Sequence, residues 1–270
     1  MTTTQKIRVP NSTLELAFID EGDKSHPAVV MTHSILTTGK MWEAQAALLV
    51  AKGFRVIRAD TRGHGASSSL PAPYSMNDLA SDTVAILDAL GIAKAHYVGL
   101  SLGGMSGFGL GIDFGNRVLS LVLCGTRADM PAAAGAVWNE RIDMAVAANS
   151  CAPLAKPTTE RWFTSAFLSA NPSAAALFPA LITGTSVDGF VGTARAIQGL
   201  DYLPRAGQIA VPTTLIVGSN DGPLVDALRG VSSVIKGSKY ELIEDAGHLS
   251  NIDQPAAFNA ALLKHFAAFK

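Results

Sequence analysis

The segment Tyr97-Val98-Gly99-Leu100-Ser101-Leu102-Gly103-Gly104 is a β-type apolar run that breaks on Gly-x-Ser-x-Gly and continues into a helix-compatible stretch. A serine on so tight a strand-to-helix turn has its hydroxyl held clear of the backbone, as a nucleophile must. Gly99 and Gly103 have a mechanical reason to be glycine, because a side chain at either position would collide with the neighbouring strand or helix. The pattern is short enough to arise by chance, so its weight comes from its surroundings.

Strand-like runs fall at 28–32, 54–59, 95–100, 118–124, 213–217 and 240–243, most of them continuous in Val, Ile and Leu, as strands covered on both faces are. Helical patterns occupy 41–52, 76–90, 102–114 and 254–269, and Ser75 with Asp78 three residues on makes a capping-box signal for the second. Repeated β-α-β order predicts an α/β fold with a mostly parallel central sheet flanked by helices. Right-handed crossovers then gather the strand C-termini, and a site built on them, along one edge. From 130 to 205 the rhythm changes. This stretch is rich in Ala, Pro and Trp, with helical segments near 137–149, 160–169, 173–183 and 189–198. It is too apolar to stay unfolded and reads as a helical cap, or lid, inserted after the sixth strand. The expected division is a core domain of 1–129 and 206–270 and a cap domain of 130–205.

Composition narrows the function classes. A chain of 270 residues with 48% hydrophobic and 16% charged content supports a large buried core. A net charge of −1 offers no basic patch for nucleic acid. No apolar run approaches the roughly 20 residues of a membrane span, and residues 1–8 lack the apolar stretch of a secretory signal. Cys124 and Cys151 are too few and too isolated for a disulfide framework or a metal site, and Cys124 reads as a small core hydrophobe. The expectation is a cytoplasmic chain, monomeric or a small homo-oligomer. It would take a small-molecule substrate, with no metal, cofactor, nucleic-acid or membrane partner.

Serine becomes nucleophilic only when a base removes its proton. His248, in Asp245-Ala246-Gly247-His248 after the strand at 240–243, opens at the same sheet edge as Ser101. His96 reads as a structural packing residue, and His26 and His265 as surface positions. The base needs an acid to fix its tautomer. Asp221, in the turn Gly218-Ser219-Asn220-Asp221, is the choice over Asp129, while Glu244 and Asp245 read as loop residues. The order Ser101, Asp221, His248 is that of α/β-hydrolases rather than of other serine-hydrolase folds. Backbone N–H groups must receive the developing oxyanion. Leu102 supplies one, and the loop His33-Ser34-Ile35-Leu36 the other, through Ile35 ahead of Ser34. The turn Asp60-Thr61-Arg62-Gly63-His64 reads as a structural one, with Arg62 and His64 non-catalytic.

Together the His33 loop, the turn after Asp60, the Gly99–Gly103 elbow, the Asp221 turn and Gly247-His248 resemble the α/β-hydrolase superfamily in order and over nearly the whole chain. Within it the chain looks most like 3-oxoadipate enol-lactonases. The resemblance is carried by Met41-Trp42, the elbow, Trp138-Asn139-Glu140-Arg141, Arg161-Trp162-Phe163-Thr164, Gly189-Phe190, Ala194 and Ile209-Ala210-Val211-Pro212-Thr213. It implies metal-free hydrolysis of a small carboxylate-bearing cyclic enol ester in aromatic catabolism. An anionic substrate needs a cation, which Arg127, Arg141 or Arg161 could supply. The expected substrate-binding set is Trp138, Arg141 and Trp162. Three departures border the acyl pocket: His33 in place of an asparagine-like residue, Ile35-Leu36 in place of Leu-Gly, and Thr126-Arg127-Ala128-Asp129 in place of Thr-Ala-Ala-Arg. The same triad suits a broad small-ester esterase or a perhydrolase, whereas a non-catalytic ligand receptor of this fold would show a broken one.

Overall fold

Strands β1 (Thr4–Arg8), β2 (Glu15–Glu21), β3 (Ala28–Thr32), β4 (Arg55–Ala59), β5 (Ala95–Leu100), β6 (Val118–Cys124), β7 (Thr213–Gly218) and β8 (Lys239–Ile243) form one sheet in the order β1-β2-β4-β3-β5-β6-β7-β8. The computed structural model describes residues 3–269. β1 and β2 pair antiparallel with each other, β2 pairs antiparallel with β4, and every pairing from β4 to β8 is parallel. β3, β4, β5 and β7 are buried along their whole length, which is why their sequences are mostly apolar, the arginines of β4 being paired with acids of β2.

The helices are α1 (Glu43–Ala51), α2 (Met76–Ala89), α3 (Leu102–Asp113), α4 (Ala132–Ala148), α5 (Ala155–Trp162), α6 (Ser165–Ala170), α7 (Pro172–Thr183), α8 (Val187–Gln198), α9 (Pro223–Val234), α10 (Ser250–Asp253) and α11 (Pro255–Phe266). The capping box of Ser75 and Asp78 opens α2. The chain moves one way across the sheet from β3 to β4 and the other way from β4 to β5. Right-handed crossovers therefore set α1 and α2 on opposite faces and leave a crevice between the ends of β3 and β5. Five helices, α4 to α8, lie between β6 and β7.

The structure departs from expectation in four places. The hairpin β1–β2 falls outside the expected strand runs, although β2 carries the apolar stretch Leu16-Ala17-Phe18-Ile19. β1 is exposed, and the acidic end of β2 meets Arg55 and Arg58 of β4, with Asp20 and Glu21 accepting from the two guanidinium groups at 2.7 to 3.1 Å. α9, outside the expected helical patterns, buries Leu224, Leu228 and Val231 on one stripe. The segment 160–169 is two helices, because the Thr164 hydroxyl accepts from Phe167 N–H and starts α6 afresh. His265 is buried rather than at the surface. Its ring bonds Thr214 and Ser120 at 2.8 Å each and packs on Phe266 and Phe269. Among the described residues no single helix is long and apolar enough to cross a membrane.

Candidate active site

The parallel register aligns Thr32 with Gly99, Leu100 with Cys124, Cys124 with Ile216, and Gly218 with Ile243. The residues that follow these strand ends therefore share one rim. Ser101 sits there at φ 56° and ψ −112°, a strained conformation for a residue with a side chain, and its N–H donates to Cys124 O at 2.8 Å. The two elbow glycines are sterically required. A Cβ on Gly99 would come within 2.3 Å of Gly103 O, and one on Gly103 within 2.5 Å of Thr32 Oγ1. Beneath the turn the Tyr97 phenol donates to Gly103 O at 2.7 Å and bonds Ser106 Oγ at 2.9 Å. Burial pushes its pKa up to about 12, so it stays a neutral donor.

His248 and Asp221 come from the loops after β8 and β7. These loops are zipped together by Ser219 N–H on Ile243 O and Asn220 N–H on Ala246 O, both 2.9 Å. The carboxylate spans His248 Nδ1 at 2.8 and 3.0 Å, and both side chains are buried. Nδ1–H therefore donates to Asp221 and Nε2 is left as the basic nitrogen. Ser101 and His248 line one cavity, and no hydrogen bond joins them among the described residues. The competing acids lie elsewhere: Asp129 pairs with Arg127, and Glu244 and Asp245 are exposed.

Gly125 is a residue that the sequence reading missed. It lies in the left-handed region at φ +48°, and a Cβ on it would sit 3.1 Å from Asp221 Oδ2 and 3.4 Å from His248 Nδ1. Its neighbour Thr126 donates its hydroxyl to Ser101 O at 3.0 Å. Glycine after a strand end is the local signal, but the need for it lies in the distant acid–base pair.

The loop after β3 is anchored by His33. Its Nδ1–H donates to Ser34 O at 2.8 Å and its Nε2 accepts from Thr61 N–H at 2.9 Å. Burial pushes this imidazole down to about 4, so the ring is neutral and its tautomer is set by its two bonds. Leu36 turns the loop at φ 63°. Ile35 lines the cavity, and among the described residues neither its N–H nor that of Leu102 donates a hydrogen bond. As expected, Arg62 is structural, paired with Asp82 at 2.6 and 2.7 Å, and His96 bonds Ser120 at 2.7 Å inside the core.

The cavity measures about 340 Å³, and its wall also contains Trp138, Arg141 and Trp162. Asp221 stands behind His248, and Leu102 follows Ser101 into α3. The three arginines on the wall now differ. Arg127 is tied to Asp129, donating to its carbonyl at 2.5 Å. Arg141 donates to Thr158 Oγ1 at 2.8 Å and lies over the Trp138 ring at 4.9 Å. No carboxylate pairs with it among the described residues. Burial, then repulsion from Arg161, pushes it down to about 10, so it stays charged. Trp162 packs edge-on against Phe178 at 6.1 Å, serving the core as well as the wall.

Residues 27–255 match the model of a family described as the alpha/beta hydrolase fold. 3-Oxoadipate enol-lactonase 1 of Acinetobacter baylyi is 36% identical, over 88% of this chain and 87% of its own length. The crystal structure of the enol-lactonase from Burkholderia xenovorans LB400 superposes with a TM-score of 0.91 at 30% identity, covering 97% of this chain and 100% of that one. A thermophilic esterase from Thermogutta terrifontis, solved with malate bound, superposes with a TM-score of 0.90 at 26% identity and covers 98% of each chain.

Proposed function

The chain belongs to the alpha/beta hydrolase fold family, and from that premise we propose that it is a serine hydrolase of small, carboxylate-bearing esters or lactones, of the 3-oxoadipate enol-lactonase type. The observation that carries the reading is the Asp221–His248 pair beside the same cavity as the strained Ser101, with the half-buried Arg141, which meets no carboxylate among the described residues, in the wall of that cavity.

His248 Nε2 takes the Ser101 proton as Oγ attacks the carbonyl carbon, and Asp221 stabilises the imidazolium that forms. The oxyanion is received by the N–H groups of Leu102 and Ile35, where losing one donor costs on the order of 10²–10³ in rate. Collapse of the tetrahedral adduct breaks the C–O bond as the His248 imidazolium gives its proton to the leaving oxygen, which departs as an alcohol or as an enol that tautomerises to the ketone. Water, deprotonated by the now neutral His248, then attacks the acyl-enzyme, and His248 returns that proton to Ser101 Oγ as the new acid is released. Arg141 would hold the substrate's existing carboxylate, with Trp138 and Trp162 as apolar walls. No step calls on a metal or an organic cofactor.

Likeness to the Thermogutta terrifontis esterase favours a second reading, a generalist on small esters. A panel of enol-lactones, neutral p-nitrophenyl esters and peracid formation separates the two. Preference for the carboxylated lactone supports the first, and turnover of neutral esters alone supports the second. Ser101→Ala should abolish hydrolysis with the fold intact, and unchanged turnover would remove the nucleophile assignment.

A further inference from the structure

Two loops from opposite ends of the chain meet behind the cavity. One follows β3, carries Ile35 and runs into the 3-10 turn Gly39–Trp42; the other follows β8, carries His248 and runs into α10. An amide clasp joins them. Asn251 Nδ2 donates to Met41 O at 3.0 Å, Gln45 Nε2 donates to Asn251 O at 3.1 Å, and Asn251 Nδ2 reaches Gln45 Oε1 at 3.3 Å. Both side chains are only 1% exposed. Met41 carries the link onward through its thioether, which accepts from Ser34 N–H at 3.4 Å and from the Thr37 hydroxyl at 3.3 Å. Ser34 immediately precedes Ile35, and Asn251 lies in the turn after His248.

We infer that Asn251 and Gln45 are positioning residues that set the separation between the His248 imidazole and the Ile35 N–H. The inference rests on the serine-hydrolase reading above. Each loop is braced internally, the first by His33 and the second by Asp253, whose Oδ2 accepts from Gly247 N–H at 2.7 Å. Those braces fix each loop's own shape, and the clasp fixes one loop against the other. Buried amides are costly to desolvate, so a pair bonded in this way holds a definite geometry or forfeits it, the more so as Asn251 Oδ1 has no partner among the described residues. The base and the oxyanion donor act on the same tetrahedral centre, and a displacement of about 1 Å between groups of this kind costs on the order of 100-fold in rate. The wall formed by Trp138 and Arg141 is not tied to the clasp, so the loss should appear in kcat rather than in KM.

The test is steady-state hydrolysis of a short p-nitrophenyl ester by Gln45→Met and Asn251→Ala, with thermal unfolding recorded alongside. Expected is a fall in kcat of about 10- to 100-fold with KM within about twofold. Affinity for phenylboronic acid, whose adduct on Ser101 mimics the tetrahedral state, should weaken in parallel. The double variant should lose more than either single one, because Gln45→Met leaves Asn251 Nδ2 on Met41 O and Asn251→Ala leaves Gln45 Nε2 on Asn251 O. Asn259→Ala removes another partner of Gln45, bonded at 2.9 Å, without cutting the loop-to-loop bonds, and should retain kcat. Wild-type kcat in Gln45→Met, or an equal loss in Asn259→Ala, overturns the positioning role. If Asn251→Ala does not fold, Gln45→Met, which preserves length and volume, decides alone. A wild-type chain inactive on the enol-lactones and the neutral esters alike, or a Ser101→Ala variant that stays active, overturns the serine-hydrolase reading and this inference with it. Full activity in Gln45→Met beside an inactive Ser101→Ala overturns only the clasp.

Discussion

Acid should unfold this protein earlier than its carboxylates alone would require, because four histidines are buried in neutral form. Burial holds His33 and His96 at about 4, and burial, followed by a nearby imidazole, holds His64 and His265 at about 3, against an ordinary value of 6.5. The unfolded chain therefore takes up protons first as pH falls through 6.5, while the folded rings remain neutral. Depressed folded values mean that this stability is fully present above 6.5, declines from there down to the folded values, and changes no further below them. At about pH 5.5 each ring costs on the order of 1 kcal/mol, and the four together remove roughly 5 kcal/mol, a large share of the 5–15 kcal/mol typical of a folded domain. Urea unfolding followed by tryptophan fluorescence at about pH 7.5 and 5.5 measures the difference. His265→Gln, which can still bond the Ser120 hydroxyl, should remove roughly a quarter of it, whatever it does to stability at neutral pH. A loss below about 2 kcal/mol between the two pH values, or an unchanged slope in His265→Gln, would refute the neutral-burial reasoning.

Two further predictions concern the site. Gly125→Ala should lower kcat by at least about tenfold in a folded protein, since the methyl would crowd Asp221 Oδ2 from 3.1 Å at a positive φ; wild-type kcat would show that the loop yields freely. Arg141→Met should reduce kcat/KM for carboxylated esters by about 10- to 100-fold, the value of about 1.5–3 kcal/mol for a charge-assisted contact, and should spare neutral esters. Equal losses on both substrate types would assign Arg141 to the architecture of its helix instead.

What the sequence discloses follows the reach of each constraint along the chain. Strands β3, β5, β6 and β7 are readable because burial leaves a largely apolar run, and β4 and the half-buried β8 keep shorter ones, whereas β1 at the sheet edge is exposed and β2 ends in Asp20 and Glu21, whose partners Arg55 and Arg58 lie on β4. The Ser101 elbow is readable because its glycines are needed by one another and by Thr32. Asp221 and His248 are readable because each follows a strand end, and parallel strands bring such ends to one rim. Gly125 also follows a strand end, yet the carboxylate and imidazole that forbid it a side chain belong to loops far along the chain. His265 escapes for the same reason, since the hydroxyls that draw it inward stand on β6 and β7. The three arginines make the point within one cavity. All three carry the same charge in the sequence, yet Arg127 lies beside a carboxylate, whereas Arg141, beside a hydroxyl and an indole, and the exposed Arg161 pair with no acid among the described residues. The departure at His33 resolves in a similar way. An imidazole with Nδ1–H on Ser34 O and Nε2 on Thr61 N–H offers one donor and one acceptor, as an asparagine amide does, so the loop keeps its anchor while its side chain changes.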